Sequence, residues 1–307
     1  MHPSALAAVL ALPWLAACSS SKLPPLVGSG GGESPAAAAL FASAQRHDQS
    51  GNTRKAVKAY AEVASTYPVS PQAPEARFRQ AQLLEQQGET LKAFDAYQEF
   101  IGRYRGSSLY TRALASQARM ANAAADGQVK TSFLGLKSRL STDKVVGMLE
   151  KVRDNAPASP TAAAAQFKIG ALYQSRGDAA KSIAAFRDLV FKYPDTGEAA
   201  EAQYRIGVIL TEQAERGNQD QANLDLAREA FLDYLQRYPG HARSDDARRR
   251  LATLGSRDIQ RSFDIAEFYL KKGDVESAKF YFREVVRQAK SGALHDRAKA
   301  RLAALGE

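Results

Sequence analysis

Residues 169–194 read IGALYQSRGDAAKSIAAFRDLVFKYP. Gly170 is a small residue that lets a neighbouring helix come close, and Tyr173 follows it about one helical turn later. Gly177 suits the end of a helix, because glycine tolerates a positive φ at little cost. Phe186 supplies a large apolar side chain to the next helix, and Pro194 marks where that helix must stop. The segment therefore predicts two helices joined by a tight turn.

The same order of residues recurs along the chain. Small residues form one column, at Ala44, Ala81, Gly170, Gly207 and Ala266. A glycine follows seven residues later at Gly51, Gly88, Gly177 and Gly273. The second helix carries an aromatic column at Tyr60, Tyr97, Phe186, Phe231 and Phe282, and Leu149 fills a sixth position. The pattern resembles the tetratricopeptide repeat and predicts an all-α solenoid of five to six helical hairpins, since one hairpin cannot bury its apolar face alone.

The spacing between copies exceeds the ~34 residues of the standard repeat. Three insertions explain most of the excess. One lies between Asp126 and Thr142 and contains Phe133 and Leu134; a second, residues 217–223, is polar; the third is predicted to add a helix between residues 241 and 254. The first insertion carries apolar residues, so Phe133 and Leu134 are candidate partner contacts. The alternative is that this loop folds back onto its own repeat.

The N-terminal residues have a different character. Residues 5–12 read ALAAVLAL and are followed by Leu15-Ala16-Ala17-Cys18, which resembles the lipobox of bacterial lipoproteins. The resemblance implies cleavage before Cys18 and fatty acylation of that residue. We therefore expect a signal peptide over 1–17, a flexible tether over 18–35, and N-terminal and C-terminal repeats over 36–156 and 157–307. Residues 19 and 20 are serines rather than aspartate, which by resemblance to the enterobacterial sorting rule favours the outer membrane.

Composition restricts the classes of function. With one Cys and four scattered His, the chain is not expected to hold a disulfide network or a metal. The sequence contains none of the common nucleophile, zinc or phosphate-loop motifs, so we expect no enzyme activity, no cofactor and no small-molecule substrate. The formal net charge is +9. An exported protein meets no nucleic acid, and this charge is better suited to anionic lipid or acidic partners.

The last repeat adds a more specific resemblance to that of the tetratricopeptide repeat. Residues 265–274 read IAEFYLKKGD and residues 278–282 read AKFYF. Together with the lipobox, these segments resemble the BamD family, the repeat lipoproteins of the β-barrel assembly machinery. The resemblance implies an outer-membrane lipoprotein, lipid-anchored at the periplasmic face. Its implied partners are unfolded outer-membrane proteins, received by the N-terminal half, and the barrel-forming assembly subunit, docked by the C-terminal half.

Two sets of residues follow as candidate binding positions. Those next to the small column are predicted to face the groove of the solenoid: Gln45, Gln82, Lys168 and Arg205. Partner contacts are predicted at Arg248, Arg249 and Tyr281, besides Phe133 and Leu134. The alternative for the two arginines is a solvated position on an exposed helix. The alternative function is a periplasmic repeat adaptor in envelope maintenance or cell division. A solute-binding lipoprotein would instead require a closed pocket.

Overall fold

The computed structural model describes residues 34–133, 136–216 and 220–307. Within these ranges the chain forms thirteen helices and two short strands. They are α1 (Pro35–Gln49), α2 (Thr53–Thr66), α3 (Ala73–Gln86), α4 (Thr90–Arg103), α5 (Tyr110–Ala125), β1 (Lys130–Phe133), β2 (Leu136–Arg139), α6 (Thr142–Asn155), α7 (Pro160–Ser175), α8 (Ala179–Lys192), α9 (Gly197–Arg216), α10 (Gln221–Arg237), α11 (Ser244–Lys272), α12 (Val275–Ala289) and α13 (Ala293–Ala304). The predicted all-α class is confirmed.

The chain divides into two compact units, Met1–Ser116 and Gln117–Glu307, with the boundary inside α5. In the first unit α1 to α4 pack consecutively, and in the second α6 to α13 do the same. Each helix therefore covers the apolar face of its neighbour in sequence, as in a repeat solenoid. The predicted division between residues 156 and 157 falls in the turn between α6 and α7, within the second unit, and stays a prediction.

The small and aromatic columns meet inside the hairpins. Phe186 and Phe231 are fully buried. A methyl group on Gly170 would lie 2.5 Å from Phe186 Cε1, and one on Gly207 would lie 2.7 Å from Phe231 Cε1. Both distances are shorter than van der Waals contact, so these positions of the first helix admit only glycine without movement of the ring.

The turns between paired helices are built as the glycine column predicts. The four glycines of that column have φ values from +73° to +80°: Gly51, Gly88, Gly177 and Gly273. After Gly177, Asp178 caps α8, because its carboxylate accepts a hydrogen bond from the Lys181 amide at 3.1 Å. That hydrogen bond is the main reason why the pKa of Asp178 is lowered. A glycine followed by a capping residue lets the chain reverse within three residues.

A buried glutamine ties the two helices of a hairpin together. Gln166 Nε2 donates to the Ala185 carbonyl at 2.9 Å, and Gln203 Nε2 donates to the Ala230 carbonyl at 3.0 Å. Each glutamine lies one turn before the small column, and each carbonyl precedes the aromatic column by one residue. The contact satisfies a polar group inside the core and fixes the register between the helices.

Two of the predicted insertions have a different structure from the expected one. Residues 130–139 form an antiparallel hairpin in which Lys130 is opposite Arg139 and Phe133 is opposite Leu136. A two-residue connection that contains glycine favours such a hairpin over a loop. The helix expected between residues 241 and 254 is not a separate element, since Ser244–Lys272 is one helix. No proline interrupts this segment, and Asp245 and Asp246 in its first turn favour the helix.

Candidate protein-binding site

An open cleft of about 790 Å³ lies in the first unit. Its walls are the loop after α2 (residues 68–71), residues 74–82 of α3, the end of α4 at Arg103 with the loop that follows it (residues 104–109), and Arg112 of α5. Proline at positions 68 and 71 keeps the chain out of a helix before α3 begins, and Pro74 occupies the first turn of α3, where proline is tolerated. Because two loops meet beside one helix, the cleft is bounded by backbone segments far apart in sequence. We call it the loop cleft.

The loop cleft has an apolar side. The Phe78 ring is buried and contacts the Tyr97 and Phe100 rings, with centroids 5.7 Å apart in each pair. The Arg112 guanidinium carbon lies 5.2 Å from the Phe78 ring centroid, a cation–π geometry. At the rim Val69 is 57% exposed. The cleft therefore offers apolar contact at its rim and positive charge close to its wall.

Three residues of the loop cleft carry buried polar atoms without a hydrogen-bond partner among the described residues. They are Ser70 Oγ, Arg103 Nε and Tyr104 Oη. Burial is the main reason why the pKa of the Tyr104 hydroxyl is raised. A buried polar group left unpaired costs about 1–3 kcal/mol. Because these three atoms have almost no exposed surface, a ligand would accept their hydrogen bonds, and recover part of that cost, only after a local shift of the cleft loops.

Arg79 is held in place on the cleft wall. Its Nε and Nη2 atoms donate to the Asp48 carboxylate at 2.6 and 3.1 Å, and Tyr60 Oη donates to the same carboxylate at 3.3 Å. The hydrogen bond from Arg79 holds the pKa of Asp48 below its usual value, whereas burial, followed by the charge of Asp48, raises the pKa of Tyr60 to about 12. Arg79 is thus already neutralised.

The residues predicted to face the groove have varied surroundings. Gln82 lines the loop cleft, and its side-chain oxygen accepts a hydrogen bond from Arg79 Nη1 at 3.3 Å. Gln45 is partly exposed on α1 and is not among the cleft residues. In the second unit Lys168 pairs with Asp126 at 3.0 Å, and Arg205 pairs with Glu201 at 3.0 Å. Arg205 also lies 4.8 Å above the Phe167 ring. A binding role for the four residues stays a prediction.

The predicted partner contacts are dispersed. Arg248 and Arg249 are exposed on α11 and pair with Asp245 and Asp246 of the same helix at 2.7 and 2.9 Å. This is the solvated arrangement given above as the alternative. Phe133 ends strand β1, and Leu134 and Cys18 lie outside the described residues. A contact role for these residues stays a prediction.

Tyr281 belongs to an aromatic surface on the last repeat. Its ring stacks on Tyr269 with centroids 5.7 Å apart, and it also contacts Phe280 at 5.3 Å. Tyr269 in turn contacts Phe268 at 5.6 Å. Phe268 and Phe280 are 55% and 60% exposed. We call these four residues the terminal aromatic cluster. Exposed aromatic side chains in contact with one another are common at protein interfaces.

Sequence reasoning named Gln82 but missed the rest of the loop cleft. Val69, Ser70 and Tyr104 lie between helices, where the repeat columns give no information. A signal was nevertheless present, because Pro68 and Pro71 fall in the connection before α3 and Pro74 falls in the first turn of α3. Such a connection leaves space beside α3.

Comparison with known proteins gives the family. Residues 137–301 match the model of the YfiO outer membrane lipoproteins, which is more than half of the chain. The chain belongs to this family. The predicted resemblance to BamD lipoproteins is thereby confirmed. Residues 41–108 match a tetratricopeptide-repeat model. Both YfiO and tetratricopeptide domains are scaffolds for protein interaction. The chain accordingly belongs to a family of outer-membrane lipoproteins and carries tetratricopeptide repeats.

Solved structures with a similar arrangement share little sequence with the chain. A tetratricopeptide repeat protein from Parabacteroides merdae is 13% identical, over 89% of this chain and all of that one, with a TM-score of 0.31. A thermophilic repeat protein from Thermus thermophilus is 16% identical over 71% and 98%, with a TM-score of 0.32. PilF from Pseudomonas aeruginosa is 12% identical over 87% and 97%, at 0.30. Among curated proteins, none matches.

Two further features were sought in the part of the chain that the structure describes: a metal site and a membrane-spanning helix. This part contains no group of three His, Cys, Asp or Glu side chains arranged to hold a metal ion. Among its helices none has the length and apolar character needed to cross a bilayer.

Proposed function

We propose that this protein is a binding and scaffold subunit, without enzyme activity, of the assembly and insertion of β-barrel outer-membrane proteins. The observation that carries the proposal is the match to the outer membrane lipoprotein family over residues 137–301. The lipobox-like sequence before Cys18 supports a lipid anchor at the periplasmic face. About 0.8 kcal/mol per buried methylene makes a multiply acylated Cys18 a stable anchor.

The loop cleft is the proposed site for unfolded barrel proteins. By the resemblance, the client offers its C-terminal strand, which is extended and has unpaired backbone carbonyls. Ser70, Arg103 and Tyr104 carry unpaired buried donors, and Val69 at the rim suits an apolar side chain. Besides the neutralised Arg79, the lining carries Arg103 and Arg112 against the one acidic residue Glu75, and this excess of positive charge favours a carboxylate. These features match the backbone and terminus of such a strand.

The terminal aromatic cluster is the proposed contact with the barrel-forming assembly subunit. Interfaces concentrate binding energy in a few aromatic and arginine side chains near their centre. Phe268 and Phe280 are exposed without being part of the core, so they are available for such a role. Removing either ring should weaken docking and leave the fold intact.

Affinity purification from detergent-solubilised membranes tests the proposed function, with crosslinking to identify the neighbours of each end of the chain. We expect recovery of the large barrel-assembly subunit, lost when Phe268 and Phe280 are changed to Ala. Recovery of cell-wall factors without that subunit would support the periplasmic adaptor instead. A wild-type protein that takes up no acyl label, or Cys18→Ala remaining membrane-bound, would contradict the lipid anchor.

A single exposed substitution tests the loop cleft. Val69→Asp places a negative charge at the rim, where a client carboxylate and apolar side chain are expected. We expect binding of a fluorescent peptide of a barrel protein's C-terminal strand to weaken at least fivefold, measured by anisotropy. Leu232→Asp is the matched control, because Leu232 is 52% exposed on α10 and lies outside the cleft. Equal affinity of the two variants would place the client elsewhere.

A further inference from the structure

We infer that the loop cleft also takes a segment of this same chain, Leu23-Pro24-Pro25-Leu26-Val27, which competes there with the client. The segment lies in the predicted tether, outside the described residues. The inference rests on the proposed function only in the identity of the competing client. Occupation of the cleft by the tether itself is independent of it.

The chain enters the described structure at the same end as the cleft. α1 and α2 are joined by residues 50–52 and pack side by side, with the Phe41 and Tyr60 rings 5.7 Å apart. A connection of three residues makes the two helices antiparallel. The first turn of α1, where Ala37 is fully buried, therefore lies near the last turn of α2. The loop that follows α2 forms one wall of the cleft.

The tether is long enough to reach. Seven residue steps separate Val27 from Ser34, which span at most about 23–25 Å when extended. A glycine-rich chain of this length has a typical end-to-end distance of about 13–16 Å. α1 packs on α2 and α2 packs on α3, and neighbouring helix axes are about 8–10 Å apart. The cleft beside α3 is thus within range of the segment.

The chemistry of the segment suits the cleft. Between Cys18 and Ser34, residues 23–27 form the only apolar run, and serine, lysine, glutamate and glycine make up the rest. Two consecutive prolines favour a polyproline II conformation, whose backbone carbonyls have no internal partner. Ser70, Arg103 and Tyr104 carry buried donors without partners among the described residues, and a local shift of the cleft loops would open these donors to the segment's carbonyls. Leucine and valine side chains suit the apolar rim at Val69, and no charge has to be removed from water.

Because residues 23–27 are covalently linked to the loop cleft, even weak binding of this segment can compete with a client. A short flexible linker gives an effective concentration of the order of 1 mM. A segment that binds in isolation with a Kd of about 1 mM would then fill half of the clefts, and the apparent affinity for a client would fall about twofold. With a Kd of about 0.1 mM the affinity for the client would fall about tenfold. The tether would thus act as a built-in competitor that only a tighter-binding segment displaces.

Photo-crosslinking in the full acylated chain tests the contact directly. The reporter is p-benzoylphenylalanine in place of Leu26, and the control has it in place of Gly31. We expect Leu26 to yield intramolecular crosslinks to residues 68–82 or 103–112, reduced by Val69→Asp, and the control to yield few. Crosslinks only to other regions, or only between molecules, would overturn the inference.

A second variant tests the competition. Leu23, Leu26 and Val27 are changed to Ser together, and the matched control changes Gly30, Gly31 and Gly32 to Ser. We expect the first variant to bind the C-terminal strand peptide two- to tenfold more tightly than the control. Equal binding of the peptide by both variants would refute the competition. If the peptide binds neither while the crosslinks at the cleft remain, the proposed client fails and the tether contact stands.

Discussion

The substitution Gly207→Ala tests the packing of the small column against the aromatic column. In an ordinary helix interior this change stabilises a protein by about 0.5–1 kcal/mol, because alanine restricts the unfolded chain and favours the helix. At this position the new methyl group would lie 2.7–2.9 Å from three atoms of the Phe231 ring. The ring is fully buried, with the Tyr204 ring 5.8 Å from it, so it has little room to move.

The net effect follows from these two contributions. Overpacking a well-packed core costs about 1–3 kcal/mol. Subtracting the gain in helix propensity leaves a destabilisation of about 1 kcal/mol in mid-range and of at most about 2.5 kcal/mol. The sign is therefore opposite to that of a helical glycine with free space around it.

Urea unfolding followed by circular dichroism at 222 nm measures the effect. Gly255→Ala is the matched control, because Gly255 lies within α11 of the same unit and, apart from its two neighbours and the nearby backbone of its own helix, no atom lies within 4 Å of the added methyl group. We expect Gly207→Ala to unfold at lower urea than wild type and Gly255→Ala at higher urea. Equal stabilisation by the two substitutions would refute the proposed close approach of helix and ring.

Three further predictions concern the turns, the core and an ion pair. Gly177→Ala should destabilise the chain by about 1–2 kcal/mol in urea unfolding, because φ is +74° there. Gln203→Leu should cost about 0.5–1.5 kcal/mol in the same assay, because it removes one buried hydrogen bond while the Ala230 carbonyl keeps its helical bond within α10. Asp48→Asn should cost about 1 kcal/mol at pH 7 through the loss of the Arg79 pair. Since folding lowers the pKa of Asp48, this difference should be complete above about pH 4 and vanish at lower pH; a constant difference would contradict it.

The hairpins could be predicted from the sequence because their determinants are local. Gly177 and Phe186 repeat at fixed spacing, and each acts within one turn or one pair of helices. The buried glutamines Gln166 and Gln203 also recur at a fixed position in their repeats, but they were missed. A glutamine in a helical pattern ordinarily indicates a solvent-exposed face. Only the position of the Ala230 carbonyl explains why this polar side chain is buried.

The length and type of elements between repeats were harder to predict. The strands at 130–139 depend on a local hairpin that periodicity over a longer window does not resolve. Residues 244–254 carry helical periodicity, but whether they form a separate helix or the start of α11 depends on packing against α10. The hydrophobic periodicity of this segment is the same for a separate helix and for the first turns of α11, so it cannot distinguish them.

The sequence by itself determined that this protein is a series of helical hairpins with glycine turns and an aromatic core, because those features depend on residues close together in the chain. The tertiary structure alone determined the loop cleft and the terminal aromatic cluster. Stacking the hairpins brings the loop at 68–71 next to the loop at 104–109, and pairing α11 with α12 within the last hairpin brings Tyr269 onto Tyr281. Contacts between different helices and loops exist only after the helices have packed.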